Sequence, residues 1–228
     1  MTNKLAIIIF GLPGSGKGTQ ANEIVRRFDG FNHFDTGRVV EEIIQNPQKQ
    51  DDPVIQTERE RFKQGYLMNT QMIVEIVRDG VLRIASSGSS IVLSGSPRIR
   101  AEAEFLIPLL IQLYGEGAVM TFHIKIKEET SVFRNTRRRI CKSCGEPVPW
   151  SEESEKLAYC THCGGELITR ALDTEEAIKL RLVEYHHQTE GVLDYFKAMG
   201  LPVCEIDGER PPEIISDEIA GIIEERLK

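Results

Sequence analysis

The stretch Gly11-Leu12-Pro13-Gly14-Ser15-Gly16-Lys17-Gly18-Thr19 carries the densest chemistry in the chain. Its glycines let the backbone curl so that successive N–H groups point inward at phosphate oxygens. The helix that follows adds the positive end of its dipole. Lys17 is spaced to reach the terminal phosphates of a nucleoside triphosphate, so Gly14, Ser15, Gly16, Lys17, Gly18 and Thr19 are the candidate ATP-binding loop. The strict motif has Ser or Thr directly after the lysine; here Gly18 stands there and the hydroxyl arrives at Thr19. A glycine-rich turn without chemical role is the competing account. The apolar strand-like run at residues 5–10 before the loop, and helical periodicity after it, argue against that account.

Two further patterns carry chemistry. Cys141-x-x-Cys144 and Cys160-x-x-Cys163, with residues 145–159 between them, have the spacing of two zinc knuckles. Four thiolates close a tetrahedral shell and leave no position for water, so the metal is structural. Zinc is the expected ion, with iron the alternative. It substitutes for a core that the small stretch 137–172 cannot build alone. His162, inside the second pair, is a bystander. A nucleic-acid zinc ribbon is a rival reading supported by Arg137-Arg138-Arg139, and the acidic Glu146, Glu152, Glu153 and Glu155 weigh against it. Arginines recur at Arg98, Arg134, Arg138, Arg170 and Arg181. Singly, each is an ordinary surface residue. Beside a phosphate loop they are the forks that phosphoryl transfer needs, because guanidinium binds phosphate oxygens bidentately.

The elements that must position these groups follow from the hydrophobic pattern. Strand candidates at residues 5–10, 90–94, 118–126 and 202–206 alternate with helical periodicity, clearest at 70–85 and 101–113. That alternation predicts an α/β domain, a parallel sheet covered by helices on both faces. A long helix is predicted over 173–199, with Asp173 and Glu176 at cap and N3 spacing and Gly200-Leu201-Pro202 stopping it. Cys204 reads as a small buried residue of the last strand. Residues 36–68 and 137–172 interrupt the alternation and read as inserted lobes. At 228 residues, 40% hydrophobic and 28% charged, the composition is that of a globular domain. The net charge of -7 disfavours nucleic-acid and anionic-membrane surfaces. No signal or membrane segment is evident, and the paired cysteines suit a reducing compartment, so a cytoplasmic protein is expected, as a monomer.

Taken together, these segments resemble the adenylate kinase family, in its long form with a zinc-bearing lid, over nearly the whole chain. Residues 11–20 are similar to its ATP loop, and Asp35-Thr36-Gly37 to the start of its monophosphate lobe. Gly65-Tyr66-Leu67-Met68 resembles the strip that holds the acceptor base, and Gly95-Ser96-Pro97-Arg98 its Gly-Phe-Pro-Arg segment. Arg137 to Cys144 resembles the lid entry, and Ile168-Thr169-Arg170 the lid exit. The resemblance implies a single P-loop kinase domain over residues 1–228, with a monophosphate lobe at 36–68 and a lid at 137–172. It implies transfer of the terminal phosphate of ATP, carried with Mg2+, to a nucleoside monophosphate, AMP by family habit. Lys17 and Arg138 then fall at the ATP phosphates, Arg134 and Arg210 at its adenine. Thr36, Tyr66, Leu67, Met68, Gly95, Arg98 and Glu102 fall on the acceptor, with Arg170 and Arg181 bridging both nucleotides.

The departures cluster. The family's Asp and, one turn later, Arg after Thr-Gly are here Arg38 and Glu41; its Asp before Gly-Phe-Pro-Arg is Ser94; its adenine-reading Gln is Glu102; the first Asp of its lid pair is Leu172. Carboxylates are thus lost where magnesium-bound waters would be anchored, and Glu41 brings negative charge toward the acceptor phosphate. Arg38, one turn before it, is the nearest replacement cation. Two further readings follow: a regulatory ATP-binding protein with weak or no transfer, and a kinase for another monophosphate such as GMP, since a carboxylate accepts twice where an amide accepts and donates.

Overall fold

The computed structural model describes residues 4–64, 66–169 and 173–228. β1 (Ala6–Phe10), α1 (Lys17–Arg27) and β2 (Phe31–Asp35) come first, then a lobe of α2 (Thr36–Gln45), a 3-10 turn and α3 (Pro53–Lys63). α4 (Thr70–Ser86), β3 (Ser90–Ser94), α5 (Arg100–Tyr114), β4 (Val119–Lys125) and α6 (Glu128–Arg137) restore the alternation. The cysteine segment holds β5 (Arg139–Cys141), β6 (Pro147–Val148), α7 (Glu152–Glu155) and β7 (Leu167–Ile168). α8 (Glu175–Glu184), a π-turn at Tyr185–Thr189, α9 (Glu190–Ala198), β8 (Val203–Asp207) and α10 (Pro212–Leu227) complete the chain.

The main sheet runs β2-β3-β1-β4-β8, with every neighbouring pair parallel. β1 is buried along its whole length, which is why it is apolar on both faces. Ala6, Ile8 and Phe10 join one core with residues of α4, α5 and α9, while Leu5, Ile7 and Ile9 join the other with residues of α1 and α10. A period of two thus feeds two layers of helices from one strand. The α/β reading of the sequence holds. The cysteine segment forms a separate antiparallel sheet in the order β6-β5-β7.

Three sequence expectations need correction. Cys204 is half-buried, because β8 is an edge strand. β2 was absent from the strand candidates. Its residues Phe31-Asn32-His33-Phe34-Asp35 carry only two apolar side chains, because it is the edge strand and turns one polar side toward the cleft. The long helix over 173–199 is also interrupted. Thr174, not Asp173, is the N-cap of α8, accepting from Ala177 N–H, and the π-turn separates α8 from α9. Asp173 is spent on a different contact. π-bulges recur at functional sites, and this one carries Tyr185 to the cleft, with its hydroxyl 3.2 Å from His123 Nε2.

Candidate active site

A cleft of about 850 Å³ lies beyond the carboxyl ends of the parallel strands, where open α/β sheets bind ligands. The glycine loop forms its floor. Gly14 and Gly16 sit at φ 76° and 95°, and a Cβ on Gly14 would lie 2.4 Å from Asn135 Nδ2. Only glycine fits there. α6 supports the loop from below: Ser131 Oγ donates to the Pro13 carbonyl at 2.6 Å, and Asn135 Nδ2 donates to the Ser131 carbonyl at 2.7 Å. Both side chains are fully buried, and the sequence reading overlooked them because ordinary polar residues on a helix carry no motif. Gly18 and Thr19 stand in the first turn of α1. Lys17 Nζ donates to the carbonyls of Gly11 and Leu12, each at 2.8 Å. Burial first, then Arg98, Arg181 and Arg138, push the Lys17 ammonium down to about 7, against the pull of Asp35. Those groups therefore share one cleft with the lysine, although their positions in the chain are far apart.

The arginines are individually held. Arg138 forks onto Asp173, Nε to Oδ2 at 2.7 Å and Nη2 to Oδ1 at 2.8 Å, and Arg181 Nη1 stands 3.9 Å from the same carboxylate. The Asp173 side chain is completely buried, so one fixed anion orients both. Arg98 Nε donates to the Gly95 carbonyl at 2.7 Å. Arg134 Nη1 donates to the Gly208 carbonyl at 2.9 Å, which brings together the two segments assigned to the adenine. Arg210 lines the same cleft and pairs with Glu218 and Asp207. Tyr66, Leu67, Met68 and Gly95 line the opposite part, with Thr36 Oγ1 buried and without a hydrogen-bond partner among the described residues. Gly65, Arg170 and Leu172 lie outside the described residues.

The four cysteine sulfurs converge. All lie within 4.8 Å of one another, with Cys141 and Cys163 at 3.4 Å and Cys144 and Cys160 at 3.8 Å. A tetrahedral Zn–S4 centre with bonds of about 2.3 Å has sulfurs roughly 3.8 Å apart, so this cage fits zinc. The knuckle turns support it: Gly145 N–H donates to the Cys141 carbonyl and Gly164 N–H to the Cys160 carbonyl, each at 2.9 Å. His162 takes no part among the candidate ligands.

The family model for adenylate kinase matches residues 9–201. The chain belongs to the adenylate kinase family. It is 34% identical over 225 residues to an adenylate kinase of Caldicellulosiruptor bescii, covering 98% of both chains. It is 33% identical over 219 residues to one of Methanothrix thermoacetophila, covering 95% of this chain and 97% of that one. One of Halobacterium salinarum is 29% identical over 221 residues, with 96% and 97% covered. The reaction class of the adenylate kinase family is phosphoryl transfer between ATP and a nucleoside monophosphate with Mg2+ on the ATP, and membership makes this chain an enzyme of that class.

Against that family pattern, the departures take definite positions. Arg38 lines the cleft, where Nε donates to Glu42 at 3.0 Å and Nη1 to the Cys144 carbonyl at 3.2 Å, so it ties α2 to the metal knuckle. Glu146 of the knuckle accepts from Arg26 at 2.8 Å and Asn22 at 3.4 Å, a second tie to α1. Glu41 lines the cleft and accepts from Gln45 at 3.3 Å. Ser94 is buried, its Oγ 2.7 Å from His33 Nε2, and His33 Nδ1 is 2.7 Å from Asn22 Oδ1. Glu102 is buried and accepts from Arg98 N–H at 2.8 Å; burial holds its carboxyl above the usual range, against that hydrogen bond.

Proposed function

We propose that this chain catalyses the reversible transfer of the terminal phosphate of ATP to AMP, and that it works as a cytoplasmic monomer. The observation that carries the reading is the convergence of Arg98, Arg138 and Arg181 on half-buried Lys17 in one cleft with a phosphate-cradling loop. Three guanidinium groups and a lysine in one cleft suit two phosphate chains, because transfer needs alignment and charge stabilisation more than covalent chemistry. Lys17 and the loop N–H groups hold the ATP phosphates with Arg138, Arg134 and Arg210 border the adenine, Arg98 holds the acceptor phosphate, and Arg181 with Arg170 spans both. Oxygen donors at the ends of β2 and β3 fit magnesium, which when bound neutralises charge on the phosphates. Closure of the two inserted lobes excludes water from the transfer.

A coupled assay with ATP, magnesium and each monophosphate in turn tests this. AMP should be the fastest acceptor. Because Glu102 replaces an amide, preference for GMP is the second reading, and GMP outpacing AMP would establish it. No transfer to any monophosphate would leave a nucleotide-binding regulator and refute the proposal. Sedimentation should give a mass near 25.7 kDa for a monomer.

A further inference from the structure

We propose that Asp35 is the carboxylate that anchors the water shell of nucleotide-bound magnesium in this chain, in place of the carboxylates missing at positions 38 and 94. The inference rests on the phosphotransfer reading. Asp35 is the last residue of β2, and its register partner on β3 is Ser94 itself, whose other neighbour is Ile9 of β1 just before the phosphate loop. The sheet therefore sets Asp35 beside the position that lost its carboxylate, in the crevice where phosphates bind. Asp35 lines the cleft and is the one anion whose field opposes the depression of the Lys17 ammonium, so it faces the terminal-phosphate position.

The bonding of Asp35 leaves capacity for such a role. Oδ1 accepts from Arg38 N–H at 3.2 Å and caps α2, while Oδ2 has no hydrogen bond or ion pair among the described residues. The other carboxylates of the cleft are engaged. Glu42 pairs with Arg38, Glu102 accepts from Arg98 N–H, Glu184 bonds Gln188, and Glu41 bonds Gln45 from within α2. Ser94, held by His33, supplies a neutral oxygen next to Asp35. Magnesium keeps several waters and is held through one or two carboxylates plus phosphates, so one well-placed carboxylate meets its needs.

The test uses Asp35→Asn. Asparagine caps helices as well as aspartate does, so α2 should be kept. Calorimetry compares ATP binding with and without magnesium, and water-proton relaxation reports the immobilised shell when Mn2+ replaces magnesium. Wild-type protein should bind ATP tighter with metal. Asp35→Asn should reduce that advantage about tenfold, the scale of one hydrogen bond to a charged group, without a matching loss of metal-free ATP affinity. Asp35→Asn/Ser94→Asp should restore both the advantage and the relaxation signal. An unchanged metal advantage in Asp35→Asn overturns the assignment, as does an equal loss of metal-free binding, which would mark a structural role. Transfer to AMP by the wild type, measured alongside, reports on the reaction separately: wild-type transfer with an unaltered metal advantage in the variant overturns the role of Asp35 alone.

Discussion

Binding of ATP should draw a proton onto Lys17. In the empty cleft, burial and three arginines lower its ammonium to about 7, whereas the triphosphate supplies the anionic charge that would raise it again. At pH 8 a group with that value is about 90% neutral, at pH 7 about half, and at pH 6 about 10%. Magnesium-bound ATP carries no titrating proton of its own at pH 8. Calorimetry in buffers of different ionisation enthalpy should therefore find uptake of about 0.9 proton per ATP at pH 8, falling to about 0.1 at pH 6. By linkage, ATP affinity should fall toward tenfold per pH unit above pH 8. Lys17→Arg should abolish the uptake, since guanidinium stays charged. The empty protein has the opposite dependence. Lys17 binds its proton less tightly when folded than when unfolded, so stability rises with pH from about 7 up to the ordinary lysine value. No uptake at pH 8, or the same uptake in Lys17→Arg, would refute the reasoning.

Three further outcomes follow from other contacts. Cys141→Ser with Cys160→Ser should lose about one equivalent of zinc by elemental analysis, and limited proteolysis should then cut within 137–172 before the core; unchanged metal content would contradict the site. Asp173→Asn should lower stability by about 1–3 kcal/mol, read by denaturant melts, because half-buried Arg138 and Arg181 lose their shared anion, and it should weaken ATP and AMP binding together. Glu102→Gln should flatten the pH dependence of stability. A carboxyl raised by burial contributes most below its unfolded value and loses that contribution as pH rises through the raised one, so melting temperatures of wild type and variant should diverge toward neutral pH. The same variant should move acceptor preference toward AMP.

The parts legible in the sequence were those encoded over short spans. A phosphate loop and two cysteine knuckles are contiguous, and β1 declares itself because burial on both faces demands an unbroken apolar run. β2 was illegible for the converse reason, since an edge strand that lends a polar side to the cleft has no alternation to detect. Asp35 gains its place only through a register with Ser94, a pairing between distant segments that no local pattern specifies. Asp173 was mistaken for a cap because Thr174 beside it caps equally well. Its true partner, Arg138, is brought by the fold across the stretch between. For Arg38, spacing along α2 suggested the acceptor phosphate, while its contact with the Cys144 carbonyl on another lobe is a pairing that no local pattern specifies.

The metal-stapled lobe has a thermal and ionic character of its own. Among the described residues, none of the three apolar clusters includes a residue between 139 and 169. What joins that lobe to its surroundings includes the ion pair of Arg26 with Glu146, the hydrogen bond of Arg38 to the Cys144 carbonyl, and one aromatic edge contact of Trp150 on Phe133. Swinging it open therefore bares little hydrocarbon, and such a motion carries a small heat-capacity change. Its equilibrium should drift only gently with temperature, while added salt screens the Arg26–Glu146 pair and favours the open form. Ionic strength, more than warmth, should therefore shift this lobe.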